Sequence, residues 1–113
     1  MAAELSVEAL RAEIDQIDEV LVRLLDSRAR CAYAIGRVKR AEGRPVYEPA
    51  REASVLAHVR DVNHTLGGPL DDEAIVRLFE RVIDEARRIQ RLEATRAEDT
   101  GGAGAAAATG QGE

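Results

Sequence analysis

An all-α fold of three helices, one long and two shorter, is what this 113-residue chain predicts. Three observations carry that expectation. From Ser6 to about Glu42 apolar residues recur at alternating spacings of four and three, the mark of a helix stripe. Ahead of the C-terminal tail, clusters of glycine and proline fall in only two places, GRPVYEPA and NHTLGGPL. No stretch alternates apolar and polar residues as a half-buried strand would.

In the first helix the stripe runs through Leu10, Ile14, Ile17, Leu21 and Leu24, then Cys31, Ile35 and Val38. Ser6 suits the N-cap, with Glu8 in the first turn. Arg37, Lys39 and Arg40 crowd the last turns, where cations face the negative end of the helix dipole, and Gly43 can close it. Such a helix is about 55 Å long, whereas a compact domain of about 95 residues is only about 30 Å across. A helix that overshoots its own domain leaves apolar surface for another chain, so an obligate or near-obligate homodimer built on it is expected.

The second helix is expected from about Pro49 to Asn63, with Val55, Leu56, Val59 and Val62 on its apolar face. Pro49 fits the first helical position, and Glu48 just before it can interact with the free amides there. In the third, Asp71 offers the N-cap and Asp72 and Glu73 the acidic first turn. Ile75, Phe79, Val82, Ile83, Ala86 and Ile89 continue at helical spacing to about Leu92 or a little beyond. Residues 1–95 thus read as one helical domain and 96–113 as a Gly/Ala-rich tail with nothing to bury, expected to be disordered.

Composition narrows the function. The net charge is -5 with cations and acids interspersed, which argues against nucleic acid or an anionic membrane as partner. Aromatics are 3% of the chain and tryptophan is absent, so there is no platform for stacking bases. MAAELSVEAL has neither a basic region nor an apolar run, so no signal peptide is expected and the location reads as cytoplasmic. The single cysteine, Cys31, falls on the apolar stripe and reads as a small core residue.

Polar residues on apolar faces single out a site. The slot between Leu24 and Cys31 is filled by Arg28, and Lys39 lies eleven residues on, three turns later on the same face. A guanidinium buried there must find an anion or cost several kcal/mol, roughly. On the second helix Glu52 lies one turn before Val55 and Leu56; on the third, Gln90 follows Ala86 by four. These groups could satisfy one another, for instance as an Arg28–Glu52 pair with Gln90 capping a backbone group. With Arg51 nearby, though, cations outnumber acids and leave room for a bound anion. Arg11 flanks the stripe about 25 Å from Arg28 along the axis, so it can act with Arg28 only across an antiparallel dimer; otherwise it pairs with Asp15 or Asp18 in its own helix.

His58 and His64 are too few and too far apart for a metal site, and there is no phosphate loop and no nucleophile with its base. A cationic, amide-bearing pocket remains, suited to a reaction that needs only positioning and charge stabilisation.

The segments LRAEIDQIDEVLVRLLDSRARCAYAIGRVK, RPVYEPARE and DDEAIVRLFERVIDEARRIQ together resemble the all-helical chorismate mutases, the bacterial class of intertwined dimers, over residues 6–93. The resemblance implies an isomerase that converts chorismate, a dianion, to prephenate by a [3,3] rearrangement in phenylalanine and tyrosine biosynthesis, with no cofactor and no metal. It implies that Arg11, delivered across the homodimer, and Arg28 bind the substrate carboxylates. Lys39 and Gln90 look like the pair that hydrogen-bonds the ether oxygen of the breaking bond. Glu52 looks like the acid near the substrate hydroxyl and Arg51 like a neighbour that orders the site. Glu48 stands where aspartate is common, and Ala86 where serine is common, so substrate affinity rather than chemistry is affected there. Stand-alone relatives sometimes depend on an aromatic-pathway synthase as a partner. The rival expectations are an isochorismate pyruvate lyase or a 4-amino-4-deoxychorismate mutase on the same fold, or a non-catalytic regulatory dimerisation module.

Overall fold

Three helices make up the computed structural model, which describes residues 5–108: α1 (Val7–Glu42), α2 (Pro49–Leu66) and α3 (Asp72–Ala108). The chain divides into two units, Met1–Cys31 and Ala32–Glu113, and α1 runs unbroken through the division. Among the described residues no helix is long and apolar enough to cross a membrane.

The helix ends are built as their sequences suggest. Ser6 Oγ accepts the Ala9 N–H at 3.0 Å, relieving one of the unpaired amides of the first turn of α1. At the other end Gly43 takes the left-handed conformation (φ 69°) that side chains disfavour, and Arg44 donates its N–H to Lys39 O at 2.8 Å. Asp71 Oδ1 accepts the Ala74 N–H at 2.7 Å and so caps α3.

α2 departs from expectation at both ends. Glu48 makes no side-chain bond to the free amides, because its carboxylate is taken up by Lys39 and Arg44. The helix runs past Asn63 to Leu66, since nothing in Asn63, His64 and Thr65 forbids helix and the first residue able to reverse the chain is Gly67, at φ 63°. Asn63 then ties the connection, donating through Nδ2 to Leu70 O at 2.8 Å and to Asp72 Oδ1 at 2.9 Å.

α3 runs on to Ala108, past the end expected at about Leu92 or a little beyond. Once a helix is nucleated each further residue adds a hydrogen bond, and the alanines of this stretch are the best helix formers. The remainder of the tail, 109–113, lies outside the described residues.

In the unit Ala32–Glu113, α2 packs on α3. Val55, Leu56 and Val59 are half-buried on one side and Ile75, Phe79, Val82 and Ile89 on the other, with Ile83 buried; Val62 sits exposed at the margin. The part of α1 in this unit buries Ala32, Gly36 and Lys39, one position on from the expected Cys31, Ile35 and Val38, which are exposed. Cys31 is therefore not a core residue in this chain. The reason is size: a Cβ on Gly36 would lie only 3.3 Å from Gln90 Cα, so the small face is the one that lets α1 and α3 approach backbone to backbone.

In the unit Met1–Cys31 the helix begins at Val7, and no residue among those described is buried. Leu10, Ile14, Ile17, Leu21 and Leu24 are all 43–60% exposed.

Candidate functional site

Lys39 is the centre of the site. Its side chain is buried, 4% exposed for the residue as a whole, and an ammonium out of water demands acceptors. It has three, one for each N–H: Val46 O at 2.8 Å, Glu48 Oε1 at 2.9 Å and Gln90 Oε1 at 3.1 Å. The turn at Gly43 makes this possible by folding the loop back so that Val46 and Glu48 come alongside the last turns of α1.

Gln90 is also buried, on α3 against Gly36. Because an ammonium only donates, it holds the amide by its oxygen, and the Gln90 NH₂ is the end left to donate to something else. The pair therefore presents a buried positive charge beside an oriented amide donor. That is a fitting environment for an oxygen that gains negative charge.

Glu48 is pinned from two sides, by Lys39 and, through Oε2, by Arg44 Nη2 at 3.3 Å. The hydrogen bond from Lys39 is the main reason its carboxyl sits below the ordinary carboxylate range; partial burial opposes the shift, and the bond from Arg44 reinforces it.

Glu52 is half-buried on the first turn of α2, and its partner is on α3, not α1: Arg87 Nε lies 2.9 Å from Glu52 Oε2. Among the ways in which these groups could satisfy one another, Glu52 takes Arg87 and Gln90 takes Lys39. Arg87 also bonds Asp84 Oδ1 through Nη2 at 2.7 Å and lies 5.9 Å from the centre of the Tyr47 ring.

Of the other expected site residues, Arg51 is exposed at the head of α2 and Ala86 is half-buried on α3. Arg28 is half-buried and Arg11 exposed, both on the part of α1 that belongs to the unit Met1–Cys31. Among the described residues neither Asp15 nor Asp18 forms an ion pair with Arg11.

Three groups escaped the sequence reading: Arg87, Arg44 and Glu93. Glu93 is 3% exposed, reaches Arg40 Nη2 at 3.5 Å through Oε2, and has no hydrogen-bond partner for Oε1 among the described residues. A signal existed for two of them. Arg87 follows the buried Ile83 by four, and Glu93 follows Ile89 by four and Gln90 by three, so both are polar residues on the covered side of α3.

Residues 10–91 match the family model described as Chorismate mutase type II. Among curated relatives, the bifunctional chorismate mutase/prephenate dehydratase of Pseudomonas aeruginosa is 38% identical over 96 residues, 80% of this chain and 26% of that protein. The protein of the same description from Neisseria gonorrhoeae is 43% identical over 81 residues, 72% of this chain and 21% of that protein. The T-protein of Enterobacter agglomerans is 41% identical over 101 residues, 89% of this chain and 24% of that protein. The chain spans about a quarter of the length of these relatives.

Proposed function

Because the chain belongs to the type II chorismate mutase family, we propose that it isomerises chorismate to prephenate in the cytoplasm, as a step toward phenylalanine and tyrosine. The ether C–O bond breaks while a C–C bond forms within one molecule, so no nucleophile, cofactor or metal takes part. The protein's task is to hold the enolpyruvyl arm over the ring and to stabilise negative charge as it grows on the ether oxygen. Lys39 and the NH₂ of Gln90 donate to that oxygen. Glu52 accepts from the ring hydroxyl, Arg51 helps to order that end of the site, and Arg28 binds a carboxylate.

One observation carries the reading: a buried ammonium 3.1 Å from a buried amide oxygen, with the amide NH₂ left free to donate. The test is to incubate the purified chain with chorismate and identify the product by NMR, with isochorismate and 4-amino-4-deoxychorismate in parallel. Prephenate from chorismate supports the proposal, and turnover of either analogue alone overturns it.

The working form on this reading is a two-fold dimer in which the exposed stripe of α1 is covered by a second copy, whose Arg11 completes the carboxylate site. The exposure of five large apolar side chains in one register supports it. Mixing Arg11→Ala with Arg28→Ala chains under exchange should restore part of the activity, since each heterodimer contains one intact site. No recovery in verified heterodimers would contradict the shared site.

A further inference from the structure

We infer that Arg87 is a positioning residue of this site, fixing the Glu52 carboxylate so that it can accept a hydrogen bond from a hydroxyl of the bound substrate. The proposal rests on the mutase reading above and adds to it a residue that the sequence pattern did not single out.

Glu52 stands on the first turn of α2, on a side chain with three rotatable bonds, and nothing in α2 itself holds its carboxylate. Arg87 holds it from the facing helix, at 2.9 Å between Nε and Oε2. Arg87 is in turn held twice: Asp84 Oδ1 accepts from Nη2 one turn back along α3, and the Tyr47 ring lies 5.9 Å from the guanidinium carbon. Tyr47 separates Val46 from Glu48, the two residues of the loop that engage Lys39. Arg87 itself lies one turn before Gln90. One guanidinium therefore links α2, α3 and the loop around Lys39.

The ion pair is made by Oε2, so Oε1 keeps its lone pairs for another donor. The Nε–H of Arg87 is not aligned on the carboxylate and, although buried, has no hydrogen-bond partner among the described residues. A buried N–H without an acceptor is costly. A rotation that brought the N–H into line with Oε2 would relieve that cost, and a hydroxyl bound to Oε1 would favour it by fixing the carboxylate plane.

The experiment measures chorismate turnover by the full chain for wild type, Arg87→Met, Arg87→Lys, Glu52→Gln and the Arg87→Met/Glu52→Gln double variant, with melting curves to confirm folding. Arg87→Met should raise KM about five- to tenfold while kcat falls less than threefold, as expected when an interaction that orients bound substrate is lost. Arg87→Lys, which keeps the charge within reach of Glu52, should recover part of the loss. In the Glu52→Gln background, removing Arg87 should change KM less than twofold, because its effect passes through the carboxylate. A wild-type KM in folded Arg87→Met, or effects that simply multiply in the double variant, would overturn the inference while leaving the mutase reading intact. Absence of chorismate turnover by wild type would instead remove the activity on which it rests.

Discussion

Leu21 and Lys39 lie in the same helix eighteen residues apart, a spacing of five whole turns that gives them the same place in the helical repeat. Yet the leucine is 51% exposed and the lysine 4%. Side-chain chemistry predicts the reverse. What differs is the cover. From Ala32 onward α1 has small residues that admit α3, and a lysine at the end of that seam receives three acceptors from Val46, Glu48 and Gln90. In the Met1–Cys31 stretch the face is made of large side chains with nothing of the same unit to pack on. On the proposed reading the first half of α1 meets a second copy and the second half meets its own chain.

The largest effect should come from the buried lysine. On the proposed reading Lys39→Ala removes the charge set against the reacting oxygen, and loss of such a donor from a dry site costs about 3 kcal/mol, on the order of a hundredfold in kcat. Steady-state kinetics on a variant shown to be folded by circular dichroism will check this; a fall confined to KM would mean that Lys39 merely binds substrate. Leu21→Lys probes the other half of the comparison. A charge on the stripe should disperse the proposed dimer, as read by light scattering against wild type, and activity should fall at least tenfold. If the variant remained a fully active dimer, the stripe would not be the interface.

A smaller effect is expected at the seam. Gly36→Ala gains about 0.5–1 kcal/mol of helix propensity, but the new Cβ would sit 3.3 Å from Gln90 Cα, Cβ and Cγ. Crowding should offset most of the gain, leaving the melting temperature nearly unchanged, while displacement of Gln90 lowers kcat several-fold. Unchanged kinetics would show that the position of Gln90 tolerates movement.

The smallest effect concerns Glu48, whose carboxyl is held below its ordinary range mainly by the bond from Lys39. A carboxyl with a lowered pKa in the folded state stabilises the fold above its unfolded pKa, about 4.3, and loses that contribution as pH falls through the lower folded value. Wild type should therefore melt slightly above Glu48→Gln at pH 7, and the gap should close below about pH 4. A gap that stays constant from pH 7 to 3 would mean that the charge of Glu48 is irrelevant to stability.

Much of this was legible in the chain. Ser6, Gly43 and Asp71 were readable as helix ends because capping is local chemistry, decided by a few neighbouring residues. Lys39 and Gln90 were readable because a polar residue in an apolar register needs a partner. The buried register of α1 was placed one residue off because spacing rules weigh large apolar side chains, whereas the contact is made by Ala32 and Gly36, whose value lies in being small. The partner of Glu52 was left open for a different reason. Helical periodicity says that a residue faces inward but not which helix it meets, and choosing between Arg28 and Arg87 requires knowing how α2 lies on α3. Glu48 was expected at the amides of α2, but the pull of a nearby ammonium exceeds that of a helix terminus.

The three acceptors of Lys39 have a consequence for when the site becomes strong. With every ammonium proton already committed, an incoming ether oxygen can receive one only by exchange. A neutral ether is a poorer acceptor than the carbonyl of Val46 or Gln90, so at the start of the proposed reaction the exchange returns little. As negative charge accumulates on that oxygen it becomes the better acceptor, and the same exchange turns favourable. On the proposed reading the lysine would thus act as a threshold rather than a constant attraction, indifferent to the resting molecule and responsive to the charge-separated one. Tight binding of a charged mimic alongside weak binding of a neutral ether would be its signature.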